Sequence, residues 1–220
     1  MEFLKEFLHA ILNLNEVLPD WCKEYGIWIY AILFLIIFCE TGLVVTPFLP
    51  GDSLLFAVGA VAASTGEINV YYVVILLIIA GILGDGLNYH LGSWLGHRVR
   101  NGNRFIKKDH LDRTHAFYEK YGPKTIVLAR FVPIVRTFAP FVAGMGSMSY
   151  AKFFTYNVIG AVLWVVTMTF SGYLLGQLPF VKKNFEVIVL GIIFVSVLPV
   201  VFELVKAKLE SKKQVSDAAE

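Results

Sequence analysis

The chain has 220 residues, of which 57% are hydrophobic and only 16% are charged, and its net charge is +2 at pH 7. A disordered chain needs low hydrophobicity and a soluble domain averages roughly 25% charged residues, so this composition excludes the first class and argues against the second. The small net charge does not indicate a nucleic-acid partner, and the two cysteines form neither a disulfide framework nor a metal motif. We therefore expect an all-α polytopic membrane protein with no metal and no cofactor.

The N-terminal segment, residues 1–25, has apolar residues at helical spacing: Phe3, Leu4, Phe7, Leu8 and Ile11. This spacing predicts an amphipathic helix that lies at the membrane surface. An ordinary packing helix would show the same pattern, so both interpretations are open.

The first apolar stretch, Gly26–Ala63, is too long for one crossing, which needs about 20 residues. Its centre contains Pro47, Pro50 and Gly51, and a proline removes an N–H donor and clashes with the preceding helical turn. We interpret the stretch as a re-entrant hairpin of two half-helices, with a kinked full span as the alternative. The next stretch, Val70–Leu95, is a simple span.

Residues 97–124 contain eight lysines and arginines, whereas the short connection at residues 64–69 contains none. Because Lys and Arg favour the cytoplasmic side of a membrane, residues 97–124 are predicted to be a cytoplasmic loop.

The stretch Thr125–Gly146 is interrupted by Pro133 and Pro140 and is interpreted as a second re-entrant hairpin. The stretch Phe153–Leu178 is then a span, residues 185–205 form an additional C-terminal transmembrane helix, and residues 206–220 form a basic cytoplasmic tail. A full span at Thr125–Gly146 would place that tail outside, which the charge rule disfavours.

The order of hairpin and span occurs twice, at residues 26–96 and 125–181, within one membrane domain. One crossing per unit makes the second unit inverted relative to the first. Phe48-Leu49-Pro50 also matches Phe131-Val132-Pro133. Inverted repeats with broken helices are typical of secondary transporters, whose substrate sites lie between the broken segments.

Four ionisable residues flank the two breaks and are functional candidates, because charge at membrane depth is costly. Arg130 and Arg136 flank Pro133, and two guanidinium groups suit a lipid phosphate. Glu40 and Asp52 flank the first break and are candidates for proton coupling or gating, since burial and a neighbouring arginine shift the pKa of a carboxyl in opposite directions.

Purely structural roles can also account for the presence of these charged residues. The arginines can simply neutralise Glu40 and Asp52, and Asp52 can cap a helix. Asp85 lies within the second span and is expected to pair with a basic side chain, whereas Trp164 is interpreted as a packing or interface residue.

Two motifs resemble the DedA family of bacterial membrane proteins, part of the VTT-domain superfamily. The first runs from Glu40-Thr41-Gly42 to Phe48-Leu49-Pro50-Gly51-Asp52-Ser53. The second is Ala129-Arg130-Phe131-Val132-Pro133-Ile134-Val135-Arg136-Thr137, and Phe153, Asn157, Gly160 and Trp164 extend it. The resemblance covers nearly the whole chain and implies supporting roles for Pro50, Gly51, Pro133 and Asn157.

The resemblance further implies a multi-pass protein of the bacterial inner membrane that moves a lipid. Members of this family are implicated in returning undecaprenyl phosphate to the cytoplasmic leaflet, in flipping phosphatidylethanolamine, and in dependence on the proton-motive force. The acidic and arginine pairs required in such members correspond to Glu40, Asp52, Arg130 and Arg136. The expected partners are membrane lipids, protons and a second copy of the chain.

Three other functions fit parts of the pattern. A phospholipid scramblase would use the same site for a different headgroup, and a proton-coupled exporter of small cations would use Glu40 and Asp52 directly. An intramembrane lipid phosphatase is the least favoured, because no serine lies beside a plausible base; we expect the protein not to be an enzyme.

Overall fold

The computed structural model describes residues 14–43, 51–100, 122–146, 148–184, 187–188 and 190–191. Within these ranges the chain is helical, without strands, which confirms the all-α class. The elements in chain order are α1 (Leu14–Tyr25), α2 (Trp28–Gly42), α3 (Gly51–Thr65), α4 (Val70–Arg100), α5 (Lys124–Ala129), α6 (Pro133–Met145), α7 (Tyr150–Leu175) and α8 (Pro179–Lys183).

Among the described residues, two helices are long and apolar enough to cross a membrane, and both lie in stretches that the sequence predicts as spans. The candidate spans are Val70–His97 within α4 and Tyr150–Leu175, the whole of α7. Helix α4 continues to Arg100, into the segment predicted as a loop from residue 97. Arginine is a good helix former, so a helix that has crossed the apolar region can continue through it.

Shorter helices replace a continuous span in the two broken stretches. Helices α2 and α3 have 15 residues each, and α5 and α6 have six and 13. At 1.5 Å per residue, none reaches the roughly 30 Å of a hydrocarbon core. Whether each pair enters and leaves on one side of the membrane remains a prediction.

The two prolines of the second stretch behave differently. Pro133 is the first residue of α6, a position where the missing N–H would be unpaired in any case. Pro140, by contrast, lies inside α6, which continues to Met145. The expected break therefore occurs between Ala129 and Pro133, and Pro140 does not end the helix.

The helices of the two predicted units pack crosswise. Helix α3 lies along α7, and α6 lies along α4. At the first contact, a Cβ on Gly59 would overlap the carbonyl of Thr169, and a Cβ on Gly172 would overlap that of Phe56. Glycine thus allows the two backbones to approach closely, as is common between membrane helices.

The second contact has the same form. A Cβ on Gly92 would overlap the carbonyl of Phe141, and one on Gly144 would overlap that of Tyr89. On α6 the Phe141-to-Gly144 spacing repeats the Phe56-to-Gly59 spacing of α3, so both contacts use a glycine and a residue three positions before it.

Large apolar side chains are exposed on the outside of the bundle. Trp28, Tyr71, Tyr72, Leu174 and Phe180 are each at least two-thirds exposed. This exposure agrees with a lipid environment.

Several predictions fall outside the described residues. These concern the apolar face of residues 3–11, Pro50, the basic residues of 101–121, most of the helix predicted at 185–205, and the tail. Of the N-terminal segment, α1 is described, and it buries Leu18 and Cys22 in the core, where α1 packs on α3.

Candidate functional site

Arg136 joins the two sides of the first break. It lies in the first turn of α6, and its guanidinium is buried. Nη2 donates to Oε1 of Glu40, at the end of α2, and Nη1 donates to Oδ1 of Asp52 at 2.9 Å. One arginine from the second hairpin is therefore paired with both carboxylates of the first.

Gly51 brings Glu40 and Asp52 together. It is the first residue of α3, and its backbone N–H donates to Oε1 of Glu40 at 3.0 Å, a favourable place for a negative charge at a helix N-terminus. A Cβ on Gly51 would overlap the Glu40 carboxylate. Because α3 begins at Gly51, Asp52 is inside the helix and does not occupy the position before it, where a cap would stand.

Arg130 forms a second cluster with different partners. It follows the end of α5, and its Nη2 lies 2.5 Å from Oδ2 of Asp85 on α4 and 2.5 Å from Oδ1 of Asn157 on α7. The same nitrogen lies 3.3 Å from the carbonyl of Gly81. All three side chains are buried, so Arg130 connects the break of the second hairpin to both long helices.

The side chain of Arg130 depends on a glycine of α7 for its space. A Cβ on Gly160 would come within 2.9 Å of Arg130 Cδ, closer than real Cβ contacts. Asn157, one turn earlier, donates from its Nδ2 to the carbonyl of Ile82 at 3.1 Å, which fixes the amide oxygen toward the guanidinium.

Trp164 lies between the two arginine clusters. It is fully buried, and its Nε1 donates to Oδ1 of Asp52 at 2.6 Å. The ring centroid lies 4.7 Å from Cζ of Arg136 and 5.8 Å from Cζ of Arg130, within the distance of a cation–π contact.

The five ionisable groups do not balance in charge when all are ionised. Arg130 and Arg136 contribute two positive charges, and Glu40, Asp52 and Asp85 contribute three negative charges, so their sum is −1. Asp52 is the most exposed of them, with 14% of its side chain accessible.

Several buried polar atoms of these side chains have no hydrogen-bond partner within the described part of the chain. The donors are Nε and Nη1 of Arg130 and Nε of Arg136, and the acceptors are Oε2 of Glu40 and Oδ1 of Asp85. An unsatisfied donor in an apolar interior is costly, so the two guanidiniums have unmet hydrogen-bonding capacity within the described part of the chain. In the same ranges, no three His, Cys, Asp or Glu residues are arranged to hold a metal ion.

The structure brings the predicted site residues together, but the two arginines do not both pair with Glu40 and Asp52. Arg136 is the partner of both Glu40 and Asp52, whereas Arg130 is the basic partner of Asp85. Asn157 and Gly51 contact the site directly, and the backbone at Pro133 begins the helix that carries Arg136.

Sequence reasoning missed two residues, Trp164 and Asn88. The interpretation of Trp164 as a packing residue is incomplete, because it is also a hydrogen-bond donor to Asp52. The signal was available: Asn157, Gly160 and Trp164 are three and four residues apart, which places them on one helix face. Asn88 lies one turn after Asp85 and bonds the backbone beside Arg136.

Comparisons with known proteins identify related sequences. A family model described as the VTT domain matches residues 49–174. Protein DedA of Escherichia coli strain K12 is 53% identical over 211 residues, 94% of this chain and 96% of that protein. The uncharacterised membrane protein Rv0364 of Mycobacterium tuberculosis is 41% identical over 86% of this chain and 87% of its own length.

A more distant relative is inner membrane protein YqjA of Escherichia coli strain K12, which is 34% identical over 93% of each chain. No solved structure matches the chain significantly. The family relationship therefore rests on sequence, and it extends over nearly the full length of these relatives.

Proposed function

The chain belongs to the DedA family of VTT-domain membrane proteins, and we propose that it translocates a lipid phosphate between the leaflets of the bacterial inner membrane. Proteins of this family are generally proposed to be membrane transporters or flippases, and YqjA is named an inner membrane protein. We propose undecaprenyl phosphate as the substrate, returned to the cytoplasmic leaflet.

The observation that carries this proposal is the pair of buried arginines with unpaired donors. Arg130 and Arg136 are 1% and 4% exposed, and three of their N–H groups have no partner among the described residues. A phosphate monoester offers three acceptor oxygens and carries about −1.5 to −2 charges. Guanidinium groups bind such oxygens in pairs, so these donors fit a phosphate headgroup whose hydrocarbon chain stays in the bilayer.

Glu40 and Asp52 are proposed to compete with the phosphate for Arg136. Both already hydrogen-bond to that guanidinium, so an anion can take its Nη1 and Nη2 donors only when they withdraw. Protonation removes their charge and weakens the ion pairs. The five side chains carry a total charge of −1 when all are ionised. Binding of two protons together with a dianionic headgroup leaves the total charge of the site unchanged, which suggests coupling to the proton-motive force.

Alternating exposure of the site is proposed to come from rocking one hairpin-and-span unit against the other. The crossed packing of α3 on α7 and of α6 on α4 supports the inverted repeat, because each contact pairs two glycines with residues at the same three-residue spacing. Re-entrant hairpins are supported by the short helices α2, α3, α5 and α6. Transporters of this type bind substrate at the interface between repeats.

The remaining hypotheses receive less support. A cation would meet two arginines, since Glu40, Asp52 and Asp85 are each bonded to a guanidinium. A phospholipid such as phosphatidylethanolamine offers a phosphodiester with a single charge, which leaves more of the arginine charge unmatched. We propose no chemical step, because the site consists of guanidinium, carboxylate, amide and indole groups.

The test uses purified protein in vesicles that contain undecaprenyl [32P]phosphate. Alkaline phosphatase added outside releases phosphate from the outer leaflet only. Protein-free vesicles should release about half of the label, and vesicles with the protein should release nearly all of it. Vesicles without added phosphatase measure any hydrolysis by the protein itself.

Arg136→Gln should return the release to the level of protein-free vesicles. Lys152→Gln, which removes an exposed positive charge from α7, should transport like the parent. Equal transport by the parent and Arg136→Gln would refute the proposed site, and equal release with labelled phosphatidylethanolamine under a phospholipase would refute selectivity for a phosphate monoester.

A further inference from the structure

Trp164 contacts both halves of the site, although it carries no charge. Its N–H donates to the same Asp52 oxygen, Oδ1, that accepts from Arg136 Nη1. Its ring faces Arg136 at 4.7 Å and Arg130 at 5.8 Å from centroid to Cζ. An indole with an exposed fraction of zero, in contact with three charged groups, has a more specific environment than apolar packing requires.

The two arginines lie in the same hairpin but are bonded to different helices. Arg136 is tied to α2 and α3 through Glu40 and Asp52, and Arg130 is tied to α4 and α7 through Asp85 and Asn157. Trp164 lies on α7, in the unit that also contains Arg130, but it bonds to the unit that contains Asp52. Movement of one unit against the other would therefore change the contact between Trp164 and Asp52.

The two contacts of the indole have complementary effects when a phosphate arrives. A headgroup that takes Arg136 removes that donor from the Asp52 oxygen, and the Trp164 N–H remains bonded to the same oxygen. The ring also attracts both guanidiniums, so either one can turn toward an anion and keep a contact with the indole.

We propose that Trp164 is a positioning residue that holds Asp52 and both arginines so that a phosphate headgroup passes from one guanidinium to the other. This inference rests on the proposed function, because it assumes a phosphate in the site. The proposed function requires only that the lipid phosphate binds and crosses. The inference adds that binding depends on the arginines, whereas passage between them depends on Trp164.

The first experiment follows the indole itself. The chain has four tryptophans, so a Trp21→Phe, Trp28→Phe, Trp94→Phe variant leaves Trp164 as the sole indole. Titration of this protein in detergent with dioctanoyl phosphatidic acid should change the emission intensity and wavelength of Trp164. Arg136→Gln in the same background should abolish the change. Emission that stays constant while the lipid binds, measured by equilibrium dialysis, would overturn the inference.

The second experiment separates binding from passage. Trp164→Leu should bind dioctanoyl phosphatidic acid within about threefold of the parent but translocate labelled undecaprenyl phosphate at least tenfold more slowly. Trp164→Phe keeps the aromatic face and loses the N–H, so its rate should lie between the two. Each variant is first checked for parental size-exclusion behaviour.

The outcomes distinguish the two proposals. If the parent protein neither binds nor moves a lipid phosphate, the proposed function fails. If the parent moves the lipid and Trp164→Leu moves it at the same rate, the inference about Trp164 fails alone. Should Trp164→Leu not fold, the emission titration, which keeps Trp164, decides the matter.

Discussion

The side-chain amide of Asn88 on α4 donates a 2.7 Å hydrogen bond to the backbone carbonyl of Thr137, the residue after Arg136 on α6. The same Nδ2 lies 3.3 Å from the carbonyl of Thr41, the residue after Glu40 on α2. One buried amide thus holds the backbone beside both members of the Arg136–Glu40 pair.

Asn88→Ala should lower the thermal stability of the protein in detergent. The variant loses two hydrogen bonds to buried carbonyls. Each such bond contributes about 0.5–1.5 kcal/mol net, so the loss is about 1–3 kcal/mol, or roughly 2–12 °C in the unfolding midpoint at this chain length. Asn184→Ala is the matched control, because Asn184 bonds the carbonyl of Phe180 at the surface. An unchanged midpoint for Asn88→Ala would show that the amide does not hold the two helices.

The contribution of the Arg130–Asp85 pair to stability should be separable from its contribution to transport. Asp85→Ala leaves the guanidinium buried without its carboxylate, and breaking a buried pair in this way costs about 3–5 kcal/mol. The double variant Asp85→Ala, Arg130→Met removes both charges and should recover most of that stability. It should not recover transport, since the donors of Arg130 are gone.

Thermal unfolding and the phosphatase assay applied to the same preparations measure the two contributions. A double variant that is less stable than Asp85→Ala would contradict the expected contribution to stability, and one that transports normally would remove Arg130 from the proposed phosphate site.

Gly51→Ala should impair transport more than stability. The added Cβ occupies the place of the Glu40 carboxylate, which is the mobile end of a side chain and can turn away, but only by leaving Arg136 and the Gly51 N–H. We expect at least a tenfold loss of transport. Gly86→Ala on α4 is the control, because its Cβ meets open space and alanine favours a helix over glycine by about 0.5–1 kcal/mol.

If Gly51→Ala transports at the parental rate, the Glu40–Arg136 pair is not needed in that form. If Gly86→Ala loses as much transport as Gly51→Ala, the loss comes from replacing glycine in general.

Arg136→Lys should fold but transport at least tenfold more slowly than the parent. An ammonium is a point charge and lacks the planar fork that here reaches Glu40 and Asp52 at once and faces Trp164. Lys124→Arg makes the reverse exchange at an exposed position and should have no effect. Full transport by Arg136→Lys would mean that charge alone suffices at this position.

The apolar spans and one of the breaks were predictable because their causes are local. A run of about 20 apolar residues favours a membrane helix wherever it occurs, and α4 and α7 confirm two such runs. Proline acts on the residues that precede it, so the break before Pro133 could be expected. The continuation through Pro140 could not, because neighbouring helices decide whether a helix tolerates a proline.

The sequence by itself determined which residues are exceptional: Glu40, Asp52, Asp85, Arg130 and Arg136 are charges in apolar segments, where each needs a partner. Only the tertiary structure decided the partners. Arg130 pairs with a residue 45 positions away, whereas Arg136 pairs with residues 84 and 96 positions away. Trp164 bonds to Asp52, which lies 112 positions away. Such pairings depend on how each helix is rotated against its neighbours, and that rotation is set by glycine contacts between the crossed units, which no local pattern specifies.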